Sequence, residues 1–266
     1  MSRSVRSGHA GGGLDGAGGR WYYCAAVSVL VIAGTGTGVG KTVVTAAIAA
    51  LAAHRGERVA VLKPAQTGVA PDEPGDLAEV RRLAGEVPSR ELRRYPDPLS
   101  PEAAARRGAL PPVSPAEAAQ AATELHEDHD LVLVEGAGGL LVRFDPDGGT
   151  LADVAWSLGA LVLVVAEAGL GTLNATALTA EVATRRGLHV GGVVIGSWPP
   201  TPDLAARSNV ADLPVAAGAP LLGALAAGLG RATRAEFLEE ARRGLSPWFG
   251  GRFDPERFAA GVAAST

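Results

Sequence analysis

One short stretch of the chain, "GTGTGVGKT", carries residue types suited to binding phosphate; it ends in Lys41 and Thr42. Backbone N–H groups of a glycine-rich loop point inward, and with the start of a helix they stabilise phosphate oxygens. In such a loop the lysine reaches the terminal phosphates and the threonine hydroxyl holds Mg²⁺. The stretch therefore predicts a nucleoside triphosphate site to which Gly38, Val39 and Gly40 contribute backbone donors.

The spacing of this loop departs from the usual G-x-x-x-x-G-K-[ST] pattern. That pattern requires glycine at position 35, where Thr35 stands, and Gly34 lies one residue too early. A glycine-rich turn without nucleotide is the alternative. The strand-like "VSVLVIAG" before the loop and the helix-like "KTVVTAAIAALAAHRG" after it favour the nucleotide site.

A second stretch, "VLKPAQTG", contains Lys63. Lys41 and Lys63 are the only lysines of the chain, and the other basic side chains among its 24 Lys plus Arg are arginines. Lysine is a compact point charge, whereas arginine is a wide planar fork. We therefore predict that Lys63, at the end of the second strand, presses its charge onto a crowded anion, with Thr67 and Gly68 as further donors on a tight loop. An ordinary solvated lysine is the alternative.

Two acidic residues are candidates for binding Mg²⁺. Glu135 closes the hydrophobic stretch "DLVLVEG", as acidic residues do in many Mg²⁺-dependent nucleotide enzymes. An acid that ends a strand in solvent is the alternative. Asp76 opens "GDLAEV", where it either binds metal or caps a helix together with Glu79. Asp72 and Glu73 compete with Asp76 for the metal role.

Two glycine-rich stretches later in the chain suit other anions. The "GAGG" that follows Glu135 predicts a bare-backbone loop for an anionic intermediate. The stretch "GLGTLNATALT" places Gly171, Thr172, Leu173 and Asn174 at the start of a helix, which is a ready site for a carboxylate. Plain helix capping is the alternative there.

The elements that must position these residues alternate between strands and helices. Apolar runs without polar alternation, as in strands covered on both faces, occur at "VSVLVIAG", "RVAVLKP", "DLVLVEG", "ALVLVVAEAG", "VGGVVIGSW" and, as a possible sixth, "APLLGAL". Helical patterns lie between them, and the chain ends in a predicted helix. The order predicts an α/β fold: a three-layer, doubly wound, mostly parallel sheet whose ligands bind at the carboxyl ends of the strands.

Composition limits the class of protein. At 266 residues, with 47% hydrophobic and 20% charged residues, the chain is long enough for one large α/β domain. Its net charge of −4 provides no basic surface, which argues against nucleic acid and anionic membranes as partners. A single cysteine, Cys24, rules out an internal disulfide and suits a reducing cytoplasm.

The N-terminus is glycine-rich and predicts a flexible tail over residues 1–26, followed by a single domain over 27–266. Arg20 and the apolar "WYYCAAVSVLVIAG" after it also fit a signal-peptide core. The buried first strand is the competing interpretation, because a phosphate loop follows at once. Translation from near Val27 is a further possibility, which the intact mass of the native protein would test.

Taken together, these segments resemble the dethiobiotin synthetase family of biotin biosynthesis. The resemblance runs from about residue 27 to about residue 220 and includes the lengthened "GTGTGVGKT", "KPAQTG", "GDLAEV", "RYPDPLSPEAAA", "VEGAGGLLV", "GLGTLNATALT" and "GVVIGSWP". It implies an ATP-dependent cyclo-ligase of the P-loop NTPase type. Such an enzyme closes a ureido ring from CO₂ and 7,8-diaminononanoate (7,8-diaminopelargonate), through a carbamate and a carbamic–phosphoric anhydride, and releases ADP and phosphate.

The resemblance also implies a role for each matching residue. Lys41, Lys63 and Thr37 would be catalytic, with Lys63 on the carbamate. A nucleoside triphosphate and Mg²⁺ would be required, with the metal held by Thr42, Asp76 and Glu135. Substrate contacts would come from Thr67 and Gly139, and Gly138 would line the nucleotide or intermediate. The partner subunit of a homodimer would supply the segment from Gly171 to Asn174 for the substrate carboxylate.

The chain departs from the family at several positions. Gly36 and Gly38 stand where some relatives carry Asp and Glu, Gly196 stands where some carry a base-reading Asn, and Ala226 stands where they tend to have Pro. The sequence therefore indicates a nucleoside triphosphate more firmly than ATP itself.

Two other activities remain alternatives. Amide-forming ligases such as cobyrinate diamide synthetase or the synthetase half of CTP synthase share such cores, but they normally need an ammonia source with a catalytic Cys. Partition-type ATPases, which are nucleotide-switched binding proteins, carry a signature lysine at the place of Gly36.

Overall fold

In the computed structural model, residues 28–264 are described; residues 1–27, including Cys24 and the predicted tail, lie outside the described residues, as do the last two. Across the described range, seven strands pair into one parallel sheet in the order β3-β2-β4-β1-β5-β6-β7. The strands are β1 Val29–Gly34, β2 Val59–Thr67, β3 Ser89–Tyr95, β4 Leu131–Gly139, β5 Leu161–Ala166, β6 Val190–Trp198 and β7 Leu221–Ala226.

The helices cover both faces of the sheet, which gives the predicted three-layer α/β fold. Within the described residues they are α1 Lys41–His54, α2 Asp76–Ala84, α3 Pro101–Gly108, α4 Pro115–Asp128, α5 Leu151–Leu158, α6 Thr172–Arg185, α7 Leu204–Ala217, α8 Arg234–Gly244 and α9 Pro255–Ala264. The terminal helix predicted from "FDPERFAAGVAAST" is thus confirmed as α9.

Two hydrophobic cores follow from the alternation of side chains along each strand. In β1, Val31 and Ala33 face the core shared with α3, α4, α5, α6 and α7. Leu30 and Ile32 face the opposite core, which is filled by α1, α2 and α8. Strands covered on both faces need apolar side chains at successive positions, and this is why the Val- and Leu-rich runs were visible in the sequence.

Two strands are longer than the sequence indicated. Lys63 was expected at the end of the second strand, but β2 continues to Thr67 because it stays paired with β3 after β4 has diverged at Leu62. Thr67 therefore ends a strand instead of lying on a loop. In the same way Glu135 lies inside β4, and the "GAGG" predicted as a loop belongs to that strand, which pairs with β1 as far as Gly139.

The central strand β1 lies between β4 and β5, and the glycine-rich loop follows it directly. The carboxyl ends of β1, β2 and β4 therefore meet at one edge of the sheet, where α/β proteins bind ligands. None of the helices in residues 28–264 has the length and apolar content needed to cross a membrane.

Candidate active site

The glycine-rich loop is closed over the start of α1. Thr35 N donates to Val165 O of the neighbouring strand at 3.0 Å, and Gly40 caps α1 with a left-handed φ of 96°. Lys41 is the first residue of the helix, is 8% exposed, and donates from Nζ to Gly36 O at 2.8 Å. The loop thus holds the lysine folded back along its own backbone, in the position from which it can reach a phosphate in the cavity.

Gly40 and Gly196 lie in direct backbone contact beneath the loop. A Cβ on Gly40 would lie 2.6 Å from Gly196 O, and a Cβ on Gly196 would overlap Val39 O. Position 196 is where some relatives carry a base-reading Asn. In this backbone it has no room for a side chain, so this position contributes close packing of β6 against the loop.

Lys63 lies at the centre of a buried ionic cluster. Its Nζ is 2.8 Å from Glu135 Oε1 and 2.5 Å from Asp76 Oδ2, and it donates to Gly136 O at 3.3 Å. Lys63 is 2% exposed and Glu135 is 1% exposed. The alternatives of a solvated lysine and a solvated strand-end acid are therefore wrong. All three ammonium hydrogens have partners, and the contact with the Gly136 carbonyl is the longest.

The charges in this cluster stabilise one another. Burial lowers the pKa of Lys63, but the charges of Glu135 and Asp76 and the hydrogen bonds they accept outweigh it and leave the pKa above its ordinary value. Burial raises the pKa of the Asp76 carboxyl, and the adjacent Lys63 more than reverses this, so the pKa is lowered overall. Lys63 is consequently a cation and Asp76 an anion at neutral pH.

Lys41 differs from Lys63 because it has no carboxylate in direct contact. Burial, and next the positive charge of Lys63, lower the pKa of Lys41 to about 8. A buried ammonium group whose charge is only partly compensated favours the arrival of an anion. The pair of lysines thus divides into one that is already neutralised and one that is available to phosphate.

The oxygen atoms around Thr42 fit a magnesium ion. Thr42 Oγ1 donates to Glu135 Oε1 at 2.8 Å and lies close enough to the Asp76 carboxylate to help lower its pKa. Glu135 Oε2 is buried and has no hydrogen-bond partner within the described part of the chain. Mg²⁺ is commonly bound by one or two carboxylates together with substrate phosphates. Residues 28–264 contain no cluster of three or more His, Cys, Asp or Glu that could bind a metal without such phosphates.

The acidic candidates lie in different surroundings. Asp76 is the first residue of α2, whose N-cap is Gly75, and its carboxylate contacts Lys63; the helix-capping alternative is therefore wrong. Glu79 pairs with Arg82 instead. Asp72 and Glu73 are exposed and line a separate cleft.

A cavity of 640 Å³ opens above the cluster. Most of the residues singled out from the sequence lie on its wall: Thr37, Gly38, Gly40, Lys41, Thr42, Lys63, Thr67, Gly68, Asp76, Glu135 and Gly138. Among the described residues, Val39, Gly139 and the segment from Gly171 to Asn174 do not line it. Val39 is buried in the core, and Gly139 pairs with Gly34.

Sequence reasoning missed several residues of this wall. The turn after β3 and the start of α3 supply Pro98, Leu99, Ser100 and Pro101, and the chain beyond β4 supplies Val142. The turn was visible as part of the family-like "RYPDPLSPEAAA", but no residue in that stretch has a chemistry that marks a site. Gln66, inside "KPAQTG", was missed although it follows Lys63 by three residues.

The start of α6 is built differently from the cluster. Leu170 is 90% exposed, and Gly171 caps the helix with a left-handed φ of 94°. Asn209 of α7 is 6% exposed and donates from Nδ2 to Ala168 O at 2.8 Å and to Gly169 O at 2.9 Å. The exposed N-terminal turn of α6 is therefore held from beneath by one buried amide.

Comparisons with known proteins show the family of this chain. A family model described as an AAA domain matches residues 28–227. An ATP-dependent dethiobiotin synthetase BioD from Streptomyces avermitilis is 62% identical over 234 residues, which cover 88% of this chain and 98% of that protein. The enzyme of the same name from Saccharopolyspora erythraea is 66% identical over 227 residues, covering 85% and 99%.

Among solved structures, the cell division ATPase MinD of Pyrococcus furiosus is similar, with a TM-score of 0.49 and 17% identity over 90% of this chain and 97% of that chain. The identity to the two synthetases extends over nearly their whole length. The chain therefore belongs to the dethiobiotin synthetase family.

Proposed function

We propose that this chain is an ATP-dependent dethiobiotin synthetase, a cyclo-ligase that closes the ureido ring of dethiobiotin from 7,8-diaminononanoate and CO₂. The observation that carries the proposal is Lys63, a buried cation held at the floor of the cavity beside the phosphate-loop Lys41. An enzyme that only hydrolyses nucleotide needs one such lysine. A second cation suits a second anion, the carbamate that receives the phosphoryl group.

The proposed reaction has three steps. One amine of the substrate adds to CO₂ and loses a proton, which gives a carbamate. A carbamate oxygen then attacks the γ-phosphorus of ATP, ADP leaves, and a carbamic–phosphoric anhydride forms. Finally the second amine attacks the carbonyl carbon, and phosphate is expelled as the ring closes. Each step develops or transfers negative charge, which is what two prearranged lysines stabilise.

The residues of this chain divide these tasks. Lys41 binds the β- and γ-phosphates, and Thr37 at the exposed turn of the loop contacts the transferred group. Lys63 binds the carbamate and its phosphorylated form by exchanging its longest contact, with Gly136 O, for a carbamate oxygen. Thr67 donates to the same group. The backbone of Gly138, on the cavity wall, faces the intermediate, and Gly139 supports it from the strand.

Thr42, Asp76 and Glu135 would hold Mg²⁺, which when bound neutralises phosphate charge. The support for this assignment is the unpartnered Glu135 Oε2 and the short contact between Thr42 and Glu135. Lys63 shares both carboxylates, so the same pair of acids fixes the positions of the metal and of the carbamate-binding cation. This coupling aligns donor and acceptor for in-line transfer.

The distant carboxylate of the substrate is proposed to bind at the start of α6, from Gly171 to Asn174, on the partner subunit of a homodimer. Two observations support this. The segment does not line its own chain's cavity within the described residues, and Leu170 beside it is 90% exposed. We place the reaction in the cytoplasm, where a chain with a single cysteine needs no oxidising environment.

A coupled assay tests the proposed function. Purified full-length protein is incubated with ATP, Mg²⁺ and bicarbonate, with and without the diamine, and phosphate and dethiobiotin are both measured. We expect one phosphate for each dethiobiotin formed and little phosphate without the diamine. CTP and GTP are compared with ATP, since the chain has no side chain at position 196 to select a base.

The Lys41→Ala variant is the matched inactive control, because it lacks the phosphate-binding ammonium group but retains Lys63. Phosphate release that is independent of the diamine, as the main activity of the wild type, would contradict the proposal and favour a nucleotide-switched binding protein. Product formation that requires added ammonia or glutamine would favour an amide-forming ligase instead.

A further inference from the structure

A buried glutamine lies directly beneath the metal-binding edge of the site. Gln66 of β2 is 4% exposed. Its Oε1 accepts a hydrogen bond from the backbone N–H of Asp76 at 2.8 Å, and its Nε2 donates to Thr67 O at 3.3 Å. The first N–H groups of a helix have no partner within the helix. Gln66 therefore caps α2 from a neighbouring strand, at the same residue whose carboxylate reaches Lys63.

An arginine on the edge strand fixes the loop that leads into α2. Arg94 lies opposite Gln66 in the register of β2 and β3. Its Nη1 donates to Ala70 O at 3.1 Å and to Glu73 O at 2.6 Å. The rest of the guanidinium forms a two-pronged contact with Glu91, with distances of 2.7 and 2.9 Å. A guanidinium group that is hydrogen-bonded to both oxygens of a carboxylate has little rotational freedom.

The two side chains meet at the N-cap of α2. A Cβ on Gly75 would lie 2.6 Å from Gln66 Oε1 and 3.1 Å from Arg94 Nη2. Gly75 is buried and has an ordinary φ of −100°, so glycine is required there by close packing and not by backbone conformation. The start of α2 thus lies against both side chains, immediately before Asp76.

We propose that Gln66 and Arg94 are positioning residues for the reaction: they hold the backbone of Asp76 so that its carboxylate meets Lys63 and Thr42 at the metal-binding edge. Neither side chain contacts the cluster's ammonium group itself. The Asp76 side chain is 34% exposed, in contrast to 1% for Glu135, so the ion pair with Lys63 and not burial holds its carboxylate. The point from which the side chain reaches Lys63 is set by the backbone that Gln66 and Arg94 contact. The effect of these residues on the reaction rests on the proposed function, but their effect on the position of Asp76 does not.

The test compares Gln66→Leu and Arg94→Ala with two matched controls. Gln120→Leu changes the other glutamine of the chain, on the exposed face of α4, and Arg90→Ala changes another arginine of the same edge strand, whose partner is the exposed Glu124. The first measurement is amide hydrogen exchange of metal-free protein over residues 70–80. The second is Mn²⁺ binding by electron paramagnetic resonance, in the presence of a non-hydrolysable ATP analogue.

We expect both positioning variants to exchange faster over residues 70–80, and Mn²⁺ to bind about 10-fold to 100-fold more weakly, as is usual when residues that orient metal ligands are removed. Nucleotide affinity without metal should stay at the wild-type value, which excludes general unfolding. Both controls should behave as wild type.

Mn²⁺ affinity within twofold of wild type in the two positioning variants would overturn the inference, and so would an equal loss in Gln120→Leu or Arg90→Ala. Should Gln66→Leu fail to fold, Arg94→Ala, whose side chain is 24% exposed, decides the question alone. These readouts need no turnover. A wild type that binds Mn²⁺ and nucleotide but forms no dethiobiotin would therefore refute the proposed function and leave this inference standing.

Discussion

The lysine cluster and the start of α6 are two anion sites of opposite construction. In the cluster, a buried cation lies between two carboxylates of the same chain, and its three hydrogen-bond partners are in place before any ligand arrives. At the start of α6, Gly171 and Asn174 are exposed and uncharged, and Leu170 is directed to solvent. The cluster contains full charges, one cation between two carboxylates, whereas the helix start carries only the partial positive charge of its free N–H groups.

This difference indicates what each region contributes. Charged groups that are already fixed need no rearrangement when charge develops in a reaction, and this is the main source of electrostatic catalysis. A weak dipolar site that is open to solvent binds a carboxylate modestly until something covers it. We therefore expect substitutions in the cluster to change turnover, and substitutions at the helix start to change substrate affinity.

The largest effect is expected for Lys63→Arg. Three partners surround a single nitrogen at a position that is 2% exposed, and a planar guanidinium cannot place its charge at the same point. Turnover in dethiobiotin formation should fall on the order of 10³-fold, the upper range for loss of one prearranged donor. Steady-state kinetics measures this loss.

Nucleotide affinity and the thermal unfolding midpoint are measured as controls. Nucleotide affinity should match the wild type, because Lys41 and the loop are unchanged in this variant. Retention of ring closure within tenfold of wild type would show that Lys63 serves stability alone. The cluster would then be no more catalytic than the helix start.

Sequence reasoning located the cluster because its residue types are unusual. Two lysines in a chain that otherwise uses arginine, and an acid at the end of an apolar run, are visible without any structure. The edge strand β3, "SRELRRY", was missed because it lacks the run of apolar residues that is typical of a buried strand. Its arginines form ion pairs with Glu117 and Glu124 of α4 and with Glu91 of the strand itself. Charged residues of this kind protect an edge strand from further pairing.

The choice among Asp72, Glu73 and Asp76 could not be made from the sequence, for a different reason. What distinguishes Asp76 is the hydrogen bond from its backbone to Gln66 and the clamp of Arg94 on the preceding loop. Both interactions join a strand to a segment that is distant in the sequence, so no local sequence pattern predicts them. Helices α7 and α8 were likewise left out, although α7 supplies Asn209 to the start of α6.

A smaller effect on the kinetics is expected when the buried amide of Asn209 is removed. Asn209→Ala leaves the carbonyls of Ala168 and Gly169 without their donor and loosens the turn before Gly171. We expect the KM for the diamine to rise about 10-fold, the size of effect that loss of one buried hydrogen bond produces, with kcat nearly unchanged. Ser208→Ala, the neighbouring position on the exposed face of α7, is the matched control. A fall in kcat with an unchanged KM would remove the distinction between the two regions.

The smallest expected effect is the partial recovery of activity when two impaired variants are mixed. It tests whether the two regions act within one chain or between two subunits. Lys63→Arg has an impaired cluster and an intact helix start, and an Asn174→Glu variant has the reverse, since its added acid at an exposed position repels a carboxylate. If the site is shared across a twofold dimer, each mixed dimer contains one site built wholly from wild-type parts. Random exchange of subunits should then restore about a quarter of wild-type activity.

The measurement is the activity of the 1:1 mixture after subunit exchange, compared with the activity of each variant alone. Activity no higher than the mean of the two variants, in a mixture that mass spectrometry shows to contain mixed dimers, would place both regions in the site of one chain.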